Sequence, residues 1–261
     1  AEVELAAREK REAWVKYPVL YLDLNNESYK NEEELAKLLY RHLRFWEELY
    51  GTGDEDDTIS GRFEGVIKRA YEKTGQQVVF LVDEYDKPLL ESILDPELYE
   101  AYRAMLYGFY SNIKNCDRYL RFVLLTGVSR FGKLSVFSGL NNLNDISMDR
   151  AYAGICGITE QELAAYFVPE TETLAHTLNI THEEALAALK RRYDGYLFTE
   201  DGEHVYNPFS LLNVLQKKKL SDYWYATGTP TFLVRYLQRL NYFLPDLEND
   251  VTMGASGLQI S

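Results

Sequence analysis

Cysteine occurs twice and histidine four times in this 261-residue chain, and no long apolar run interrupts it. Two thiols, Cys116 and Cys156, are too few for a disulfide framework or a cysteine-ligated zinc site. That usage fits a reducing cytoplasm. His42, His176, His182 and His204 are scattered without ligand spacing, so surface positions are expected for them. A bilayer span needs ~20 consecutive apolar residues, and nothing approaches that length. The opening stretch Ala1 to Lys10 is charged and helical in pattern rather than carrying the apolar core of a signal peptide, so a soluble chain that is not visibly exported is expected. Bases are also in short supply, 28 against 41 acids, for a formal charge of −13. Contacts to phosphate backbones need clustered Lys and Arg, so direct binding of nucleic acid by this segment is disfavoured. Repeats, low-complexity tracts and flexible linkers are missing as well.

Hydrophobic residues make up 46% of the chain, enough for a globular core. The length suits one α/β unit with a smaller appended subdomain. Residues 2–15 have helical spacing, and residues 17–24 read as a short buried strand. Asn31 is the expected N-cap of a helix to Leu49 that Gly51 and Gly53 stop. The acidic run Asp54 to Asp57 reads as a solvated loop; it lacks the ligand alternation of a calcium-binding loop. Ser60 is the expected cap of a helix to Lys73, with Gly75 ending it before a strand at 77–83. A helix from about Pro96 to Asn115 carries Tyr99, Tyr102, Leu106 and Tyr110 along one side, a pattern that reads as core. Residues 121–127 form the next buried strand. The order βαβαβ, with connections long enough for crossover helices, predicts a parallel sheet. From about Thr159 the chain reads as helical, with capping boxes at Thr159-x-x-Glu162 and Thr181-x-x-Glu184 and a further helix from Pro208.

The chemistry is concentrated at Val78 to Pro88, where the apolar strand Val-Val-Phe-Leu-Val runs directly into Asp83 and Glu84. It looks like a Walker B element. Such a strand delivers one carboxylate to the shell of a nucleotide-bound Mg²⁺, while the neighbouring acid orients or deprotonates the attacking water. The bland alternative is a solvated strand end, common in parallel sheets. Asp86 and Lys87 fit a turn closed by Pro88 better than a supporting ion pair. Asn141, Asn142 and Asn144 likewise fit turns. For Tyr193-Asp194-Gly195-Tyr196, a helix end with Gly195 in a left-handed cap is favoured over a nucleotide contact.

Residues 127–134, Gly-Val-Ser-Arg-Phe-Gly-Lys-Leu, miss the phosphate-binding pattern G-x-x-x-x-G-K-[ST] by one residue. Leu134 stands where a metal-binding hydroxyl belongs, and the loop follows the Walker B strand instead of preceding it. A permuted phosphate cradle is one reading. The favoured one makes this the strand beside Walker B, with Thr126 or Ser129 sensing the γ-phosphate and Arg130 stabilising transferred charge.

Several strings together resemble the bacterial AAA-ATPase-like proteins, in which a P-loop ATPase domain is often followed by a PD-(D/E)XK nuclease-like domain. They are Lys16-Tyr17-Pro18-Val19, Val82 to Pro88, Leu125 to Phe131, Phe137 to Leu143, Gly157 to Leu163, Tyr193 to Tyr196, Val205 to Phe209, Tyr223-Trp224 and Thr227-Gly228-Thr229. Their order over some two hundred residues carries the likeness. The resemblance implies ATP and Mg²⁺, with Asp83 as metal ligand, Glu84 as the catalytic residue aligning water, and Thr126 and Arg130 at the phosphates; Ser129 stands beside them as a candidate nucleotide contact. The family's Walker A string, Arg-Pro-Arg-Arg-Phe-Gly-Lys-Ser, has no counterpart between Ala1 and Lys16, and no nuclease-like domain follows Asn249.

The expectation is therefore an α/β, P-loop NTPase-like three-layer parallel sheet, incomplete because its first strand and Walker A are missing, followed by a helical subdomain. The core is expected over 1–155, a lid-like helical part over 156–250, and a tail or linker over 251–261. These residues alone are expected to bind nucleotide weakly or not at all. Nucleotide and a fused or associated nuclease-like domain are the implied partners, and an oligomer is compatible. The competing class is a degenerate ATPase fold acting as a scaffold or adaptor.

Overall fold

The structure is a computed structural model that describes residues 15–25, 28–53, 57–128, 136–137, 140–199 and 202–223. The helix expected over 2–15, the acids Asp54 to Asp56, the positions Ser129 to Ser135 and everything after Tyr223 lie outside the described residues. Those described fall into two compact units, divided between Leu143 and Asn144.

In the first unit, strand β1 (Val19–Asp23) is followed by helices α1 (Glu32–Tyr50) and α2 (Ile59–Thr74) and by strand β2 (Val78–Asp83). Helices α3 (Lys87–Ser92), α4 (Pro96–Tyr110) and α5 (Asn112–Asn115) lead to β3 (Leu120–Leu125). The sheet has the order β1-β2-β3 and is parallel throughout, with Asp23 opposite Asp83 and Val82 opposite Leu125. Because side chains alternate across a strand, Leu20, Leu22, Phe80 and Val82 enter the core while Val19, Tyr21 and Phe122 stand exposed on the other face. Three parallel strands with helical crossovers bring all their carboxyl ends to one edge. That edge is where open α/β sheets bind ligands.

Local chemistry explains the helix limits. Asn31 accepts from the Glu33 amide at the start of α1, and Gly51 closes the end with φ 100°. The cap of α2 is Thr58, which accepts from Gly61; the expected Ser60 instead donates to Gly108 O, tying α2 to α4. The helix expected over 96–115 is broken at Ser111, whose hydroxyl bonds Gly108 O. Trp46, Phe63, Phe80 and Phe109 form the centre of the core, with the Phe63 and Phe109 rings stacked at 4.2 Å. Tyr102, Leu106 and Tyr110 are buried as the helical stripe implied. His42, expected at the surface, is half-buried against Trp46.

The second unit contains β4 (Ile158–Thr159), α6 (Glu160–Tyr166), α7 (Val168–Leu178), α8 (His182–Tyr193), β5 (Asp194–Tyr196), β6 (Val205–Tyr206) and α9 (Pro208–Lys217). Both capping boxes form, at Thr159 with Glu162 and at Thr181 with Glu184. The unit is not purely helical: β4, β6 and β5 make a small antiparallel sheet. Gly195 accordingly lies in β5 rather than in a left-handed cap, because α8 ends into an extended Asp194 that pairs with Tyr206.

Candidate active site

Strand β2 ends at Asp83, and the chain must turn at once to enter α3. Glu84 makes that turn with φ 57°, a left-handed conformation uncommon for residues other than glycine. The Lys87 amide then bonds Glu84 O at 2.9 Å, so the turn expected at Asp86 and Lys87 is present, and Lys87 pairs with Glu91 at 3.2 Å. The neighbouring strand is laced to this turn through its main chain. Thr126 N bonds Val82 O at 2.9 Å, and Tyr85 N bonds Thr126 O at 2.8 Å. On the other side, Leu24 N bonds Asp83 O at 3.1 Å.

These bonds set the side chains. The Thr126 hydroxyl donates to Asp83 Oδ1 at 2.5 Å, a charge-assisted bond. Tyr21, reaching across from β1, donates to Asp83 Oδ2 at 3.4 Å. Glu84 Oε2 is buried without a hydrogen-bond partner. Burial pushes the Glu84 carboxyl above its ordinary range, and the negative charges of Asp86 and Asp83 push it further, with Lys87 opposing. Glu84 thus stands, with its carboxyl tuned upward, directly beside the hydrogen-bonded carboxylate of Asp83.

Beneath the turn Asp86 is fully buried, and its Oδ1 accepts from Val128 N at 3.1 Å. A Cβ on Gly127 would come within 2.6 Å of both that oxygen and the Tyr85 ring, so glycine alone fits there. The Val128 amide, which a phosphate would need from the near-P-loop segment, is thus held by a carboxylate. Of the expected site residues, the structure brings Asp83, Glu84 and Thr126 together; Ser129 and Arg130 lie outside the described residues. Tyr21 joins the site although no local motif marks it, and Asp86 does more than close a turn. Tyr21 stands two places before Asp23 in a strand that ends, like β2, on an aspartate, and that parallel could have revealed it.

Among the described residues no group of three or more His, Cys, Asp or Glu is placed to hold a metal by itself. Mg²⁺ carried with a nucleotide needs only one or two protein carboxylates, because phosphates and water fill the rest of its shell. The oxygen donors of Asp83 and Thr126, with the unpartnered Glu84 oxygen, fit that kind of ion.

The family described as AAA-ATPase-like, predicted AAA-ATPase, matches residues 3–137. The chain belongs to this family. An uncharacterised protein from the vnfD 5′ region of Azotobacter chroococcum is 40% identical over 233 residues, covering 89% of this chain and 43% of that protein. The chain therefore spans less than half the length of this relative. No solved structure matches the chain. The match ends shortly beyond β3, so the three strands and the Asp83–Thr126 pair all lie within the AAA-ATPase-like portion.

Proposed function

We propose that the carboxyl ends of β2 and β3 are the metal-and-water half of an ATP-hydrolysing site on a P-loop NTPase-like sheet. The observation that carries this reading is the Thr126 hydroxyl on the Asp83 carboxylate, at the ends of adjacent parallel strands and beside a buried, unpartnered Glu84 oxygen. Bound magnesium nucleotide would supply the γ-phosphoryl group and neutralise its developing charge. Asp83 would hold the Mg²⁺ that accompanies the nucleotide. Thr126 fixes which way that carboxylate faces. Glu84 orients the attacking water and accepts its proton, a role worth typically 10²–10⁴ in rate. Ser129 and Arg130 are assigned to the phosphate side. Within this reading, residues 1–155 hold the ATPase-like core and 156–250 a lid-like part, while the described residues divide earlier, between Leu143 and Asn144. The cytoplasm is the setting, consistent with unpaired Cys116 and Cys156. A fused or associated nuclease-like domain and an oligomer are compatible with this reading.

Replacing Asp83 tests the assignment. In full-length protein, Asp83→Asn should abolish the Mg²⁺-dependent part of ATP affinity and leave the affinity measured in EDTA within twofold. Equal Mg²⁺ dependence in both proteins would remove Asp83 from the site. For the 261 residues alone, calorimetry should find no micromolar ATP binding, since the Val128 amide is already engaged.

A second reading, a degenerate ATPase fold serving as a scaffold, is favoured by the exposed apolar row of Val19, Tyr21 and Phe122 on one sheet face. It predicts that Asp83→Asn and Glu84→Gln change neither ATP affinity nor turnover.

A further inference from the structure

We infer that Asp86 is a positioning residue that seats the Thr126–Val128 turn on the Asp83–Glu84 turn, so that the two halves of the site move as one piece. The inference deepens the reading given above, but its geometry stands without it.

Asp86 occupies the N-cap position of α3, where an aspartate ordinarily accepts from amides of its own helix. Here the side chain makes no such bond, and the residue's backbone is itself helical, with φ −97° and ψ −4°. Its carboxylate is aimed away from α3 and across to the segment that follows β3, taking the Val128 amide at 3.1 Å. Burying a carboxylate fully is costly unless hydrogen bonds compensate, so a fully buried Asp86 specifies where its partners, the Val128 amide among them, must be. Gly127 passes so close over Asp86 Oδ1 and the Tyr85 ring that no side chain fits between them.

The main-chain bonds from Thr126 to Val82 and from Tyr85 to Thr126 extend the sheet, and any sequence could make them. They do not determine how the chain leaves β3. The Asp86 contact two residues beyond Thr126 does, and with it the direction of the hydroxyl that meets Asp83. Tyr85 braces the same place from below, packed on Phe137 at 5.0 Å, which in turn meets Tyr110 at 5.3 Å.

The test compares Asp86→Asn, Asp86→Ala and Gly127→Ala in the 261-residue chain by amide exchange read residue by residue. In Asp86→Ala the Val128 amide should exchange about tenfold faster or more, as expected when a charged acceptor is removed, while Phe80 and Leu81 in β2 change less than twofold. Asp86→Asn, which keeps an oxygen acceptor, should fall between. Gly127→Ala should loosen Val128 with the carboxylate intact, and serves if Asp86→Ala does not fold. Unchanged Val128 exchange, or equal acceleration across the sheet, would overturn the inference. In full-length protein Asp86→Asn should lower kcat for ATP at least about tenfold with KM within twofold, the signature of misplaced rather than missing binding groups. If wild-type protein hydrolyses no ATP while the exchange result holds, the functional reading fails and the clamp survives.

Discussion

Glu84 holds a backbone conformation that costs a non-glycine residue about 1–2 kcal/mol, and it does so while burying an unpartnered carboxylate oxygen. Strain of this kind persists where function keeps it. Glu84→Gly should therefore raise stability by about 1 kcal/mol, some 2–4 °C in melting temperature for a chain of this size, while removing hydrolysis. A melting temperature that falls would show that the glutamate is structurally useful. Thr126→Val keeps the shape and removes the donor to Asp83, so turnover should drop by about tenfold or more without loss of fold. At this scale the sequence was legible where chemistry is consecutive. Asp83 and Glu84 announce themselves because they directly follow an apolar strand. Tyr21 and the Asp86–Val128 bond did not, because they join residues brought together only by register and by a turn 42 positions away.

Elements were readable wherever a local rule decides them. The capping boxes at Thr159 and Thr181, the Asn31 cap and the stops at Gly51 and Gly75 depend on neighbours within a few residues, and all of them formed, whereas the expected Gly195 cap gave way to strand pairing. Ser60 was mistaken for a cap because Thr58, two residues earlier, competes for the same role, and only the packing of α4 shows that the serine is engaged elsewhere. The sheet β4-β6-β5 escaped notice because strands of two or three residues carry no period. Between α1 and α2, Arg62 grips Glu47 with two bonds, at 2.8 and 2.5 Å, and Glu47 is 6% exposed. Arg62→Ala strands that carboxylate and should destabilise the fold by about 3–5 kcal/mol, whereas breaking the solvent-screened Lys37–Glu33 pair should leave stability nearly unchanged. Chemical denaturation of Arg62→Ala and Lys37→Ala distinguishes the two; equal effects would contradict the burial argument.

For the whole molecule, the α/β class and the parallel sheet followed from the alternation of elements, and membership of the AAA-ATPase-like family from strings spread along the chain. Stability should show an alkaline limit. Burial pushes Tyr102 and Tyr206 up to about 12 and the Cys116 thiol up to about 11. Each raised value favours the neutral form in the folded chain, so that stabilisation is complete below the unfolded values. It is lost as pH climbs from about 9 to about 12. Denaturant midpoints that stay flat across that window would contradict this.

Glu84 is proposed to activate water at a nucleotide held beside Asp83, and Glu84→Gln in the full-length protein tests this most directly. ATP affinity should stay within about twofold while turnover falls by about 10²-fold or more. Turnover equal to wild type would contradict it.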